Sequence, residues 1–173
     1  MIQSKTRWHI GKPDYRTAEA LANELKISRF VAELLTTRGI SNVAEAASIL
    51  GEGKRHDPML LKGMKKAAER IQLALKRNEK ILIYGDYDAD GISSTSLMIM
   101  LFEQLHANFD YYIPHRFHEG YGLNNEAIDR AKASGTDLIV TVDNGISALD
   151  QIAYANKLGI DVIVTDHHEP PDQ

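Results

Sequence analysis

A doubly wound α/β domain with a mostly parallel sheet, preceded by a small helical region, is the fold predicted by this 173-residue sequence. Three observations predict it. Up to about residue 78, apolar residues recur at helical spacing. From residue 80, short apolar runs alternate with helical stretches. Two of those runs, residues 137–142 and 161–165, are almost continuously apolar and β-branched, the pattern of strands buried on both faces of a parallel sheet.

The helical region, residues 1–78, follows from caps and periodicity. Residues 17–26 form a short helix. Ser28 offers an N-cap to a second helix through Arg38. Gly39 then ends it, as glycine does just past a helix. Ser41 or Asn42 caps a third helix through Leu50. Gly51, Gly53 and Pro58 make residues 51–58 a loop. The fourth helix covers 61–78, with Met64, Ala67, Ala68, Ile71 and Leu75 on one face and Lys65, Lys66, Arg70, Lys76 and Arg77 mainly on the others. It is expected to act as a basic connector, with the domain boundary near residue 79. The α/β domain then occupies 79–173. Its strands are expected near 80–84, 109–113, 137–142 and 161–165, and its helices near 92–106, 124–134 and 147–158.

Composition narrows the classes open to the chain. There is no cysteine, which rules out a disulfide framework and a thiolate metal site and favours a reducing, cytoplasmic setting. No apolar stretch approaches the length of a membrane span. The formal net charge of −4 is unevenly spread. Residues 54–80 carry nine Lys/Arg against three Asp/Glu, and residues 81–173 carry four against fifteen. The basic segment either meets phosphates or solvates a helix face. The acidic half has a formal charge that bound cations would offset.

The acidic half concentrates its chemistry after strands. Asp86, Asp88 and Asp90 stand at alternate positions behind the apolar run 81–84. Carboxylates that close repel one another unless a cation lies between them. All-oxygen ligands point to a hard ion such as Mg²⁺ or Mn²⁺. The plain alternative is a solvated acidic turn. A calcium loop fits at Asp86, Asp88, Asp90 and Gly91, but Leu97 stands where that loop needs a bidentate glutamate. Asp143-Asn144-Gly145 follows the third strand, and Asp166-His167-His168-Glu169 follows the fourth. Parallel strands present their carboxyl ends on one edge, so the three clusters should converge. Such a set suits two-metal phosphoryl transfer, with ions about 3.5–4 Å apart. Asp143, on a strand of its own, is the best candidate for a carboxylate touching both ions. A histidine ligand moves preference toward Mn²⁺. The other histidine is free to donate to a phosphate or act as an acid.

The strand-end motifs 84–91, 142–145 and 165–168 resemble the first three motifs of the DHH phosphoesterase superfamily. Ile113-Pro114-His115-Arg116, the Glu119–Asn124 segment, Asp57-Pro58 and residues 34–40 narrow the resemblance to the RecJ family of single-strand-specific DNA exonucleases, over nearly the whole chain. The resemblance implies that Asp88 and Asp143 ligate one Mn²⁺ or Mg²⁺, with Asp86 beside them, and that Asp90, Asp143 and His167 ligate a second. It places His168 against the scissile phosphate and makes Asp166 the group that orients a histidine, so that His168, Asp143 and Asp166 form the catalytic set. Arg116 and Tyr121 would join His168 along the substrate path, although Gly120 and Gly122 also suit a purely structural turn. The implied activity is 5′→3′ hydrolysis of single-stranded DNA to 5′-mononucleotides, in DNA repair and recombination. The implied setting is a cytoplasmic monomer with no membrane contact, meeting a single-strand-binding protein and a helicase. In that family a fourth acidic motif, a second core domain and an OB domain lie further along the chain. The expectation is therefore an N-terminal portion, truncated at its C-terminal end, with an incomplete second metal site and little activity of its own. The alternatives are a DHH enzyme acting on small oligonucleotides or pyrophosphate, and a non-catalytic replication scaffold. The intact acid and histidine set argues against the scaffold.

Overall fold

The computed structural model describes residues 10–52, 56–115 and 122–171. Arg116 and Tyr121, expected along the substrate path, lie outside the described residues. The chain divides into two compact units, Met1–Leu60 and Leu61–Gln173.

The first unit is built of short helices: α1 (Tyr15–Leu25), α2 (Arg29–Thr37) and α3 (Val43–Ala47). Helices this short are marginal alone and depend on packing. Asp14 starts α1 two residues earlier than expected, because its carboxylate accepts the Arg16 and Thr17 N–H groups at 3.1 and 3.3 Å. Ser28 caps α2 through the Val31 N–H at 3.3 Å. Of the two candidates for the third cap, Asn42 serves, accepting the Glu45 N–H at 2.9 Å. α3 stops at Ala47 rather than Leu50; the chain widens over Ser48–Glu52 and turns at Gly51, whose φ is 99°. Ala18, Leu21, Ala32, Leu35 and Ala46 form the core, the three alanines letting the helices approach closely.

The second unit holds helix α4 (Met64–Arg77), strands β1 (Ile81–Tyr84), β2 (Phe109–Tyr112), β3 (Leu138–Val142) and β4 (Asp161–Thr165), and helices α5 (Ala89–Gln104), α6 (Asn125–Ala133) and α7 (Leu149–Lys157). All strand pairs are parallel, in the order β2-β1-β3-β4. Side chains alternate across the sheet. Ile81, Ile83, Leu138, Val140 and Val142 pack with Ala74 of α4 and Phe102 of α5. Leu82, Tyr84 and Ile139 pack on the opposite face with Ala127, Ile128 and Ala131 of α6 and Ala155 of α7. Helices on both faces make the fold doubly wound. Full burial of each large apolar side chain there contributes roughly 1.5–3 kcal/mol before chain entropy.

α4, expected with the helical lead-in, packs within the second unit. Ala74 is its buried contact, and Arg70 is held by Glu79 at 2.7 Å and by Asp161, at the start of β4, at 2.6 Å. β4 corrects a second expectation. It is half-buried rather than sealed on both faces, because it ends the sheet and pairs with β3 alone among the described strands. The fully buried strands are β1 and β3, in the middle. The order reverses between them, which is where ligand crevices open in such sheets. Among the described residues, no helix is long and apolar enough to cross a membrane.

Candidate metal centre

The crevice between the ends of β1 and β3 collects the acidic residues. Asp86 follows β1 and is buried, and its Oδ1 is sealed from solvent without a hydrogen-bond partner among the described residues. Asp88 is the N-cap of α5, its Oδ1 accepting the Asp90 and Gly91 N–H groups, both at 3.0 Å. That cap starts α5 at Ala89, three residues before the expected 92, and puts Asp90 in the first helical turn. Gly91 permits this approach, since a Cβ there would lie 2.5 Å from the Asp86 carbonyl oxygen.

Asp143 follows β3 with φ at 62°, a left-handed conformation that aspartate tolerates better than most residues. Its N–H donates to the Thr165 carbonyl of β4 at 2.9 Å. The next residue, Asn144, is fully buried; its Nδ2 donates to the Tyr84 carbonyl at 3.1 Å and the Val142 carbonyl at 2.9 Å. The Thr141 hydroxyl donates to the Asn144 carbonyl at 2.7 Å. Beyond β4, Asp166 accepts the Ile146 N–H at 3.0 Å and the His168 N–H at 3.1 Å, and its Oδ1 meets His168 Nδ1 at 2.6 Å. His167 Nε2 lies 2.9 Å from Asp143 Oδ1, and the two histidine rings are 4.6 Å apart.

Two sets of ligand atoms result, each within 4.8 Å of one another: Asp86, Asp88 and Asp143, and Asp143, His167 and His168. Asp143 belongs to both. Asp90 falls outside both sets, but lines the same open cleft of about 370 Å³ with Ser94, Asp143, Thr165 and His167. The electrostatics follow the geometry. Burial, then the charge of Asp88, pushes the Asp143 carboxyl above its ordinary range, with His167 opposing. The Gly91 N–H, joined by that of Asp90, holds Asp88 low against its desolvation. At Asp166 burial works upward, but the Ile146 and His168 N–H groups prevail and keep the carboxyl low. Asp166 in turn raises His168 by its hydrogen bond and charge. Carboxylate oxygens and imidazole nitrogens together fit Mn²⁺ or Mg²⁺. A divalent cation would satisfy the buried Asp86 oxygen and lift the repulsion felt by Asp143.

Each member of the two sets was a site candidate in the sequence, although His168 was expected at the phosphate and stands in the second set where Asp90 was expected. Sequence reasoning passed over Asn144, which reads as a turn residue in Asp-Asn-Gly, and Tyr84, whose hydroxyl donates to the Gly122 carbonyl at 2.9 Å and accepts from Asn124 Nδ2 at 3.1 Å.

The DHH family, N-terminal domain, matches residues 80–173. Over 98% of its length the chain is 49% identical to the single-stranded-DNA-specific exonuclease RecJ of Bacillus subtilis (strain 168), of which it spans 22%. Among solved structures, it is similar to RecJ in complex with Mn²⁺ from Thermus thermophilus, with a TM-score of 0.65 and 27% identity over 95% of this chain and 23% of that one. It is also similar to exonuclease RecJ bound to manganese, with a TM-score of 0.61 and 37% identity over 69% of this chain and 31% of that one.

Proposed function

The chain belongs to the DHH family, and from that premise we propose that it is the N-terminal part of a RecJ-like exonuclease that hydrolyses single-stranded DNA 5′→3′ to 5′-mononucleotides. The observation that carries this reading is Asp143, one buried carboxylate common to two ligand sets at the switch point of the sheet. In this reading Asp86, Asp88 and Asp143 hold one Mn²⁺ or Mg²⁺, and Asp143 and His167, with Asp90 from the α5 turn, hold another. Bound there, divalent ions lower the pKa of a coordinated water and neutralise charge on phosphate oxygens. The protein's own groups do the positioning. The Asp143 carboxylate, raised first by its burial and then by the charge of Asp88, is a group whose charge a cation held there would stabilise. Asp166 engages His168 Nδ1 and orients the ring, and His168 acts on the scissile phosphate as a proton donor. Arg116 and Tyr121 contact the nucleic acid.

The chain spans 22% of the Bacillus subtilis relative, so the cleavage reaction is assigned to the longer protein, and the 173 residues alone are expected to cut very little. Work in DNA repair and recombination, a cytoplasmic location, a monomeric state and encounters with a single-strand-binding protein and a helicase belong to the same reading, supported by the family resemblance. The test is a substrate panel on the intact protein with Mn²⁺: long 5′-labelled single-stranded DNA, dinucleotides and pyrophosphate. Processive release of mononucleotides from the long strand is expected. Preference for dinucleotides or pyrophosphate would replace this reading with another DHH chemistry, and undiminished cleavage in EDTA would remove the metal site from it.

A further inference from the structure

We propose that Asn144 is a positioning residue that sets the spacing of the two ligand sets by fastening the end of β1 to the end of β3; the inference rests on the metal-site reading above. Asp86 and Asp88 hang from β1, whereas Asp143 hangs from β3, so the set they share spans two strands. The β1–β3 ladder runs only to Tyr84 opposite Thr141. Past that pair Asp143 turns left-handed, and β1 gives way to the segment leading into α5. Where the ladder stops, the Asn144 amide continues it, donating to the Tyr84 carbonyl of β1 and the Val142 carbonyl of β3. Its own carbonyl is held by the Thr141 hydroxyl. Asn144 is thus tied to β1 through its side chain and to β3 through its backbone, with Asp143 next to it and Asp86 two residues from Tyr84.

Space-filling does not account for an asparagine here. The side chain is fully buried, and its Oδ1 meets no hydrogen-bond partner among the described residues, a cost that an apolar residue of similar size would not carry. The amide orientation is also determined, because the flipped form would set Oδ1 against two carbonyl oxygens. What the asparagine supplies is a pair of donors directed at two different strands.

The test is Mn²⁺ binding to the intact protein, read from the electron paramagnetic resonance signal of free Mn²⁺, alongside thermal melting in EDTA. Asn144→Ala and the uncharged, similarly sized Asn144→Leu, which keeps the bulk and loses the donors, are expected to weaken Mn²⁺ binding about ten- to hundredfold, the usual effect of removing a group that supports metal ligands. Ile160→Val, a core change just before the amino end of β4 and away from the ligands, is expected to leave affinity within about twofold at a comparable loss of melting temperature. If Asn144→Ala does not fold, Asn144→Ser, which retains a shorter donor, takes its place in the same comparison. Wild-type affinity in Asn144→Leu, or equal weakening in Ile160→Val, overturns the positioning role. Failure of the wild-type protein to bind Mn²⁺ overturns instead the site reading on which it rests.

Discussion

Replacing Asp143 by asparagine and by alanine separates the two demands on that position. The charge is held against burial and the neighbouring Asp88, so the carboxyl sits above its ordinary range in the metal-free protein. The backbone is left-handed, at φ 62°. Asparagine removes the charge and tolerates the backbone. Alanine removes the charge and is strained there by roughly 1 kcal/mol, which in a domain of this size lowers the melting temperature by about 4 °C. In EDTA, Asp143→Asn is therefore expected to melt at or above wild type, and Asp143→Ala about 4 °C below Asp143→Asn. The pH dependence has a definite sign. A raised folded-state pKa contributes stability that is fully present below the ordinary value of 3.8 and is lost as pH rises through the raised value. Asp143→Asn should abolish that part of the slope. Both variants should lose Mn²⁺ affinity by more than about a hundredfold, the upper end of what removal of a merely supporting group costs. Calorimetric titration with Mn²⁺ and melting followed by circular dichroism measure these quantities. An Asp143→Asn protein that melts well below wild type in EDTA, or keeps Mn²⁺ affinity, would refute the reasoning.

Three further outcomes are expected. Gly91→Ala forces a Cβ to within 2.5 Å of the Asp86 carbonyl oxygen; it should cost roughly 1–3 kcal/mol in urea unfolding and weaken Mn²⁺ binding, and a neutral result would show that α5 has room to shift. Tyr84→Phe leaves the Gly122 carbonyl and Asn124 amide without the hydroxyl between them; a loss of about 1–3 kcal/mol at unchanged denaturant slope is expected. Asp166→Asn removes the first cause of the raised His168 pKa. The stability contributed by protonated His168 is fully present below 6.5 and lost as pH rises through the raised value, so nuclear magnetic resonance titration of the metal-free variant should show His168 titrating lower.

The candidate site residues were legible because their chemistry is carried by residue type and by position after apolar runs. Asp86, Asp88, Asp143, Asp166 and His167 needed only the rule that parallel strands end on one edge. The boundaries were less legible. α5 begins at Ala89 because Asp88 turns its carboxylate back onto the helix, so one residue is both cap and ligand candidate. α4 belongs with the sheet through Ala74, whose single methyl carries little weight in a hydrophobic pattern. β4 is half-buried although its sequence matches a buried strand, since β-branched runs record propensity and not neighbours.

By itself the sequence determined the α/β class, the identity of the acidic and imidazole groups, and the strand ends from which they project, because these follow from local periodicity and side-chain chemistry. Tertiary structure alone decided that β1 and β3 are neighbours, that Asp143 takes a left-handed turn between Asp88 and His167, and that Asn144 joins the two strands where their ladder ends. The physical reason is range. Periodicity and capping act over a few residues, whereas Tyr84 and Asn144 meet across 60 positions of chain, brought together by strand pairing that no local pattern encodes.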